Sequence, residues 1–227
     1  MVSEIRVSNE QAMAQGTHER GLRADARRNL DRILVAAREV FLEQGGDAAL
    51  DEIARRAGVG VATLYRRFPD RQALARGVAL DVWRRSAEEA RRALAEEPTA
   101  FKALERYVPR ALDLGVGAVM PLLVSQTIWD EEARTARDES AQQLRRIVAT
   151  AKAEGTLRAD AAESDIGLLL IRLSRPLPGP ISRALDRALA QRHGDLLLAG
   201  LRAEGAPPVP LSGPVLSLDD LLAIPPE

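Results

Sequence analysis

Apolar residues recur at helical spacing along most of the chain. Four of them share one face of a first helix that ends at the glycine pair Gly45–Gly46: Ile33, Ala37, Val40 and Phe41. Alanine-rich segments with the same period continue to about Glu204, separated by single glycines and prolines and by the Pro176–Pro180 cluster. Nowhere does the sequence alternate apolar and polar residues between hairpin turns. The pattern therefore predicts an all-α fold.

The stretch after the glycine pair has the pattern of two short helices joined by a tight corner. Four small or aliphatic residues fall on one face of the first helix: Leu50, Ile53, Ala54 and Ala57. Gly58 suits the positive φ that ends a helix, and Val59 can close the corner. A second helix that begins near Gly60 would turn Leu64 and Phe68 inward. Two helices in this arrangement would cross at a steep angle.

The outward face of that second helix carries side chains suited to duplex DNA. Three small ones can contact base edges and thymine methyl groups: Val61, Ala62 and Thr63. Four larger ones can hold backbone phosphates: Tyr65, Arg66, Arg67 and Arg71. Ordinary helix corners also carry solvated arginines. The four-residue step from Ala54 to Gly58, followed by an aliphatic residue and an aromatic, basic end, favours a DNA-binding helix-turn-helix.

Composition divides the chain into four regions. Residues 1–22 are polar and lack a sustained apolar period, which predicts a flexible N-terminal arm. Residues 23–78 contain the helix-turn-helix pattern, and residues 79–204 contain the remaining helices. Residues 205–227 hold six prolines, a density that blocks a regular helix and predicts a Pro-rich tail that is extended or loose.

Charge and composition narrow the class of protein only slightly. The formal net charge is -1, yet Gly21 to Leu80 contains eleven arginines against eight acidic residues. This local basic excess is compatible with nucleic acid. There is no cysteine, no signal-like N-terminus and no apolar run of membrane-spanning length. We therefore expect a cytoplasmic protein without a membrane partner, a metal site or a cofactor.

The segments beyond the helix-turn-helix have the pattern of generic amphipathic helices. They predict one helix from about Leu80 to Glu96, another from Thr99 to about Leu114, and a further segment from Ala118 to Trp129. Seven side chains there are candidates for a mostly apolar effector pocket, with the arginine or the glutamine orienting the ligand: Trp83, Phe101, Tyr107, Arg110, Met120, Gln126 and Trp129. Each could equally fill the core. As a group they favour an apolar or aromatic effector.

Two other classes of function are compatible with an all-α chain. An enzyme is disfavoured, because the sequence lacks a metal-ligand cluster, a nucleophile elbow and a Gly-rich phosphate loop. The acidic pairs Glu88–Glu89, Glu96–Glu97 and Glu131–Glu132 adjoin arginines and are typical of solvated helix faces. The other alternative is a helical small-molecule-binding protein without DNA activity.

From Arg27 to Val82 the sequence resembles the TetR family of one-component regulators. The resemblance is carried by AAREVFLEQG and by LDEIARRAGVGVATLYRRFPDRQAL. It implies a three-helix DNA-binding head over residues 23–78 and a larger helical effector-binding and dimerisation body over residues 79–204. It also implies repression that a small molecule relieves.

The resemblance assigns roles to particular residues of the head. The family's base-reading positions fall on Val61, Ala62 and Thr63, and its phosphate-binding positions on Tyr65, Arg66, Arg67 and Arg71. It adds two arginines before the first helix, Arg27 and Arg28, as contacts to the DNA backbone or minor groove. One position departs from the family, which commonly has Ser or Thr before the first motif helix. This chain has Ala48–Ala49, which leaves Asp47 as the candidate cap.

Two apolar helices near the C-terminus carry more apolar surface than one helix pair needs to bury. Nine of their residues are candidates for a dimer interface: Ile166, Leu169, Leu170, Leu173, Ile181, Leu185, Leu189, Leu196 and Leu197. The resemblance implies that this pair meets its symmetry mate as a four-helix bundle. A homodimer presents two reading helices related by a twofold axis. The predicted DNA partner is therefore an inverted-repeat operator.

Overall fold

The computed structural model describes residues 25–44, 48–117, 119 and 130–203. These residues are predominantly helical, and one isolated antiparallel bridge, between Leu157 and Arg202, is the β pairing found among them. The all-α prediction is confirmed. The predicted arm (1–22) and tail (205–227) lie outside the described residues.

The N-terminal helices form one packed unit. They are α1 (residues 25–44), α2 (Leu50–Ala57), α3 (Val61–Arg67) and the first part of α4 (Arg71–Glu96). The apolar face predicted for the first helix is confirmed, because its four residues are at most 4% exposed. They pack with the buried residues of α2, α3 and α4 in a single core cluster. These helices position α3 for contact with a partner.

Helix α4 is continuous over 26 residues, from Arg71 to Glu96. The sequence-based prediction of a separate helix from about Leu80 is wrong, because no break occurs there. The Asp70 side chain caps the N-terminus by accepting from the Ala73 N–H at 2.7 Å. Gly77 lets the helix pass beneath the Phe68 ring, since a Cβ there would lie 2.7 Å from Phe68 Cε1. One rod therefore joins the N-terminal unit to the rest of the protein.

Four further helices complete the described body: α5 (Ala100–Leu114), α6 (Glu131–Ala153), α7 (Glu163–Leu173) and α8 (Arg183–Leu201). The predicted α5 is confirmed. Side chains of Thr99, Asp130 and Ser182 cap α5, α6 and α8 by accepting backbone N–H groups. A second core cluster joins the distal half of α4 to all four helices. Among the described residues, no helix is both long and apolar enough to cross a membrane.

Helix α8 has two different faces. One face lies on the protein, where Gly194 approaches Leu112 and Val108 of α5 and Leu198 is buried. On the other face Leu185 and Leu196 are 52% and 61% exposed. This face therefore carries large apolar side chains that the rest of the described chain does not cover.

Candidate nucleic-acid interface

The first helix of the motif, α2, buries the face that the sequence predicts. Leu50, Ile53, Ala54 and Ala57 are its buried residues. Its N-cap is Ala49, and no side chain of the described residues caps the helix. The candidate cap Asp47 lies outside the described residues. The first-turn carboxylates of Asp51 and Glu52 instead favour the positive end of the helix dipole.

The corner between the two helices has the predicted glycine geometry. Gly58 adopts a φ of 64°, in the left-handed region. Its N–H donates to the Arg55 carbonyl at 3.2 Å, and the Val59 N–H donates to the Ala54 carbonyl at 3.0 Å. These bonds satisfy two carbonyls at the end of α2, and Val59 packs against the core. The corner fixes the direction in which α3 leaves α2.

The second helix of the motif, α3, separates buried and exposed residues sharply. Leu64 is fully buried and Phe68, just after the helix, is 8% exposed. Elsewhere on the helix Val61 and Tyr65 are 42% and 45% exposed. Ala62, Arg66 and Arg67 are exposed as well, while Thr63 is half-buried and accepts a hydrogen bond of 3.1 Å from Arg66 Nη2. All six candidate contacts on this helix therefore share one solvent-facing surface.

The arginines from the start of the chain lie within α1 rather than before it. Arg27 and Arg28 are exposed residues of its first turns, and Arg28 pairs with Asp25 one turn earlier. This ion pair favours the helical conformation of the segment, which explains why the helix extends farther than the resemblance implied.

A groove of about 630 Å³ runs between α1 and the motif helix α3. It is lined by Ala26, Arg27, Asn29, Leu30, Ile33, Thr63, Arg66 and Arg67. Arg27 therefore lines the same groove as Arg66 and Arg67 of α3. Ala26 and Asn29 were not predicted, although each lies one turn before another lining residue of α1, Leu30 and Ile33 respectively, which is the signal that identifies them. Arg71, the first residue of α4, is half-buried beyond the end of α3.

The arginines of α2 are engaged within the protein. Arg55 Nη2 and Arg56 Nε donate to the Glu52 carboxylate at 2.7 and 2.8 Å. The hydrogen bonds from Arg55 and then Arg56 lower the pKa of Glu52 to about 2. Arg56 also donates from Nη2 to Glu43 of α1 at 2.6 Å. The basic surface offered to a polyanion is therefore that of α3 and the start of α1.

The candidate pocket residues occupy separate places in the described body. Trp83 belongs to the first core cluster, whereas Phe101 and Tyr107 belong to the second. Arg110 is exposed on α5. The other three candidates, Met120, Gln126 and Trp129, lie outside the described residues. A depression of about 540 Å³ between α4 and α6 is lined chiefly by charged side chains and by none of these candidates.

A buried hydroxyl network ties the centre of the body together. The Ser86 Oγ and the Tyr107 hydroxyl are 2.8 Å apart, and Ser140 Oγ donates to Ser86 Oγ at 3.0 Å. Burial raises the pKa of Tyr107. The Gln143 side chain, on the same helix as Ser140, is buried without a hydrogen-bond partner among the described residues. The polar groups inside this part of the body are therefore neutral.

The nine candidate interface residues divide into buried and exposed sets. Ile166 and Leu170 of α7 are inside the protein's own core, at 0% and 3% exposure. Four others are half-buried: Leu169, Leu173, Leu189 and Leu197. Ile181, Leu185 and Leu196 remain exposed large hydrophobic residues. The exposed part of the predicted interface is thus concentrated on and just before α8.

An exposed α3 held against α2 by a glycine corner is the architecture of helix-turn-helix DNA-binding proteins, and this protein is one of that class. The family model of bacterial regulatory proteins of the tetR family matches residues 33–78. The chain is also 34% identical to a TetR transcriptional regulator, SCO0520, from Streptomyces coelicolor, with a TM-score of 0.56. That match covers 76% of this chain and 98% of the other. The chain therefore belongs to the TetR family of transcriptional regulators.

Other solved structures agree with this assignment. A TetR transcription regulatory protein from Mycobacterium vanbaalenii is 34% identical, with a TM-score of 0.56 and coverage of 80% of this chain and 99% of that one. The ketosteroid transcriptional regulator KstR2 of Mycobacterium tuberculosis shares the fold at 17% identity, with a TM-score of 0.53 and coverage of 77% and 95%. No curated protein sequence matches the chain.

Proposed function

We propose that this regulator is a repressor that binds an inverted-repeat operator as a homodimer and leaves it when a small, mainly apolar effector binds the body. The observation that carries the proposal is the solvent-facing surface of α3, on which Val61 and Tyr65 are exposed while Leu64 is buried. A helix with this division can lie in a major groove without disturbing the core. The effector acts only through different affinities for the DNA-bound and DNA-free states.

Base reading in the proposed complex is mainly apolar. Val61 and Ala62 can contact thymine methyl groups, and Thr63 already accepts a hydrogen bond from Arg66. Six side chains are proposed to hold phosphates: Tyr65, Arg66 and Arg67 on α3, Arg27 across the groove, Arg28 next to it on α1, and Arg71 at the start of α4. Because few hydrogen bonds to bases are available, DNA shape contributes part of the specificity.

Dimerisation is proposed to use the exposed face of α8. Leu185 and Leu196 are more than half exposed in the single chain, and Ile181 precedes the helix on the surface. A twofold partner that buries this face removes the cost of exposing it. The partly buried leucines of α7 and α8 would complete the contact, with Ile166 and Leu170 supporting it from the core.

The effector is proposed to bind in the body, near the described candidates Trp83, Phe101, Tyr107 and Arg110. The neutral Ser86–Tyr107–Ser140 network supports an uncharged ligand, because an ionised group buried there would find no opposite charge among the described core residues. Met120, Gln126 and Trp129 remain candidates of the same proposal.

The deciding experiment is selection of bound sequences from random duplex DNA by the purified protein at a stated salt concentration, because phosphate contacts make the affinity salt-dependent. We expect enrichment of one inverted repeat. Half-sites should be centred about 34–36 Å apart or a multiple of that distance. Absence of enrichment would favour the alternative function, a helical ligand-binding protein without DNA activity.

Variants of the exposed face connect the selected DNA to α3. Tyr65→Ala and Arg66→Ala should each weaken binding to the selected repeat by about five- to a hundredfold, by analogy with other groove and phosphate contacts. Arg92→Ala, an exposed arginine of α4 paired with Glu88, is the matched control and should bind as the wild type does. Unchanged binding by both head variants would refute the proposed surface.

A further inference from the structure

Helix α8 contacts the DNA-binding head directly, away from the α4 connection. Arg183, the first residue of α8, reaches α1 with a single nitrogen. Its Nη2 lies 2.8 Å from Glu43 Oε1 and donates to the Glu39 carbonyl oxygen at 3.1 Å. The contact joins residues 144 positions apart in the sequence. It forms in the last turns of α1, near the negative end of the helix dipole, which favours a cation.

The ion pair continues into the helix-turn-helix through the same carboxylate. Glu43 also accepts from Arg56 Nη2 at 2.6 Å, and Arg56 Nε donates to Glu52 at 2.8 Å. Hydrogen bonding from Arg56 is the main cause of a lowered Glu43 pKa, so this carboxylate is charged near neutral pH. A chain of charged groups therefore runs from the start of α8, across α1, to both ends of α2.

The opposite face of α8 is the one proposed to meet the partner subunit. Arg183 and Leu185 are two residues apart, which places their side chains on different sides of a helix. The same short segment therefore contacts the head on one side and carries the exposed face of the proposed dimer on the other. A rotation or shift of α8 would move both contacts together.

We propose that Arg183 is a positioning residue for the DNA-binding head. Through Glu43 and Arg56 it fixes the orientation of α2 and α3 relative to α8, and so the distance between the two reading helices of a dimer. This inference rests on the proposed homodimeric operator binding. Arg183 contacts no base or phosphate in this role, so it controls the tolerated separation of half-sites and not the sequence read within each one.

The main contribution of this contact is to orientation. The side chains of Arg183 and Glu43 are 51% and 22% exposed, and ion pairs in such positions add little to overall stability. A weak contact can still decide between two orientations of the head. If the two orientations have similar free energies, a small free-energy difference changes their populations. We expect loss of the contact to change the penalty for altered half-site spacing, and the exchange rates in α2 and α3, by about two- to fivefold.

The first test measures binding to a series of operators in which the selected half-sites are moved apart or together by one and two base pairs. Arg183→Ala should reduce the penalty for altered spacing by about two- to fivefold relative to the wild type while selecting the same half-site sequence. Arg183→Lys retains the charge and should restore most of the wild-type preference. Arg106→Ala is the matched control, because it removes ion pairs to Glu89 and Glu96 wholly within the body.

The second test needs no DNA. Amide hydrogen exchange in α2 and α3 of the full-length protein should be about two- to fivefold faster in Arg183→Ala, and unchanged in Arg106→Ala. Equal spacing preference and equal exchange in Arg183→Ala and the wild type would overturn the inference. If the wild type selects no inverted repeat, the proposed function fails, and faster exchange in Arg183→Ala alone would still support the contact between α8 and the head.

Discussion

Gly58 shows how one residue determines the geometry of the reading surface. Its φ of 64° is in a region where a side chain costs free energy even when space is available. Space is available here, because the nearest atom to an added Cβ is Arg32 Nη1, at 3.7 Å. Any cost of substitution at this corner therefore arises from the backbone conformation and not from a clash.

Gly58→Ala should lower the free energy of unfolding by about 1 kcal/mol, because alanine disfavours the left-handed conformation. Gly200→Ala is the matched control: Gly200 lies in α8, and nothing is within 4 Å of an added Cβ. The control should leave stability unchanged or raise it by up to about 1 kcal/mol, because alanine favours the helix. Urea denaturation of both variants measures the difference. Equal destabilisation of the two would contradict this explanation.

At the residue level, the features that sequence analysis predicted correctly are local. Gly58, the buried face of α2 and the inward Leu64 all follow from spacings within a few positions. The departure from the family at Ala48–Ala49 was also readable from the sequence, while the candidate cap Asp47 lies outside the described residues. The ion pair from Arg183 to Glu43 could not be predicted, because its partners are far apart in the chain and many arginines alternate with many acids.

Helices α4, α5 and α6 are tied together by the three hydroxyl groups of Ser86, Tyr107 and Ser140. Ser86 is the central member, because it is bonded to both of the others. Removing the central hydroxyl leaves a buried Tyr107 hydroxyl without its partner. Removing the tyrosine hydroxyl leaves Ser86 bonded to Ser140.

Ser86→Ala should therefore be more destabilising than Tyr107→Phe, by about 2 kcal/mol against about 1 kcal/mol. Free energies of unfolding from urea titrations at a single temperature would give the order. A larger loss for Tyr107→Phe would show that the three hydroxyls are not linked through Ser86.

The exposed face of α8 can be tested as the proposed dimer interface. Leu185→Asp and Leu196→Asp place a charge on its exposed face and should convert a homodimer to a monomer, because a buried unpaired carboxylate is strongly unfavourable. Sedimentation at several protein concentrations measures the state. Ala95→Asp, on an exposed position of α4, is the control and should remain dimeric. Dimers that persist in both leucine variants would place the interface elsewhere.

The helix pattern of the body could be predicted from the sequence better than its connections. Helix α5 begins after the Thr99 cap as expected, since capping is a local signal. The continuity of α4 was missed because Gly77 and the preceding polar residues weaken the pattern there. The helix continues through Gly77 because of a tertiary contact, in which the glycine accommodates the Phe68 ring. The same limit applies to the candidate pocket, since amphipathic spacing does not say which of two core clusters a large side chain joins.

In the described part of the molecule, arginine–carboxylate pairs make stability depend on pH in the acid range. Hydrogen bonds from arginines lower the pKa values of four carboxylates. Arg56 is the main cause for Glu43 and Arg55 for Glu52. Arg76 is the main cause for both Asp130 and Glu132. A carboxylate whose pKa is lower in the folded state stabilises that state fully above its unfolded pKa. The stabilisation is lost as the pH falls through the folded value.

Glu52 makes this dependence testable. Its pKa falls from 4.5 to about 2 on folding, so its contribution should be intact above pH 4.5 and disappear as the pH approaches 2. Glu52→Gln should flatten the dependence of the denaturation midpoint on pH in that window. Glu131→Gln, whose carboxylate has no arginine partner among the described residues, should keep the wild-type slope. Identical slopes in the two variants would show that the Glu52 pairs do not persist in solution.

The unbroken α4 has a consequence for building chimeric regulators from this protein. Any fusion of this head to a foreign body must be made within one helix, where each inserted residue turns everything beyond it by about 100° and advances it by about 1.5 Å. A junction one residue out of phase would aim both reading helices away from the groove even if each half folded. Insertions of seven residues, about two full turns, nearly restore the phase and change only the reach. The junctions most compatible with function should therefore recur with the period of the helix.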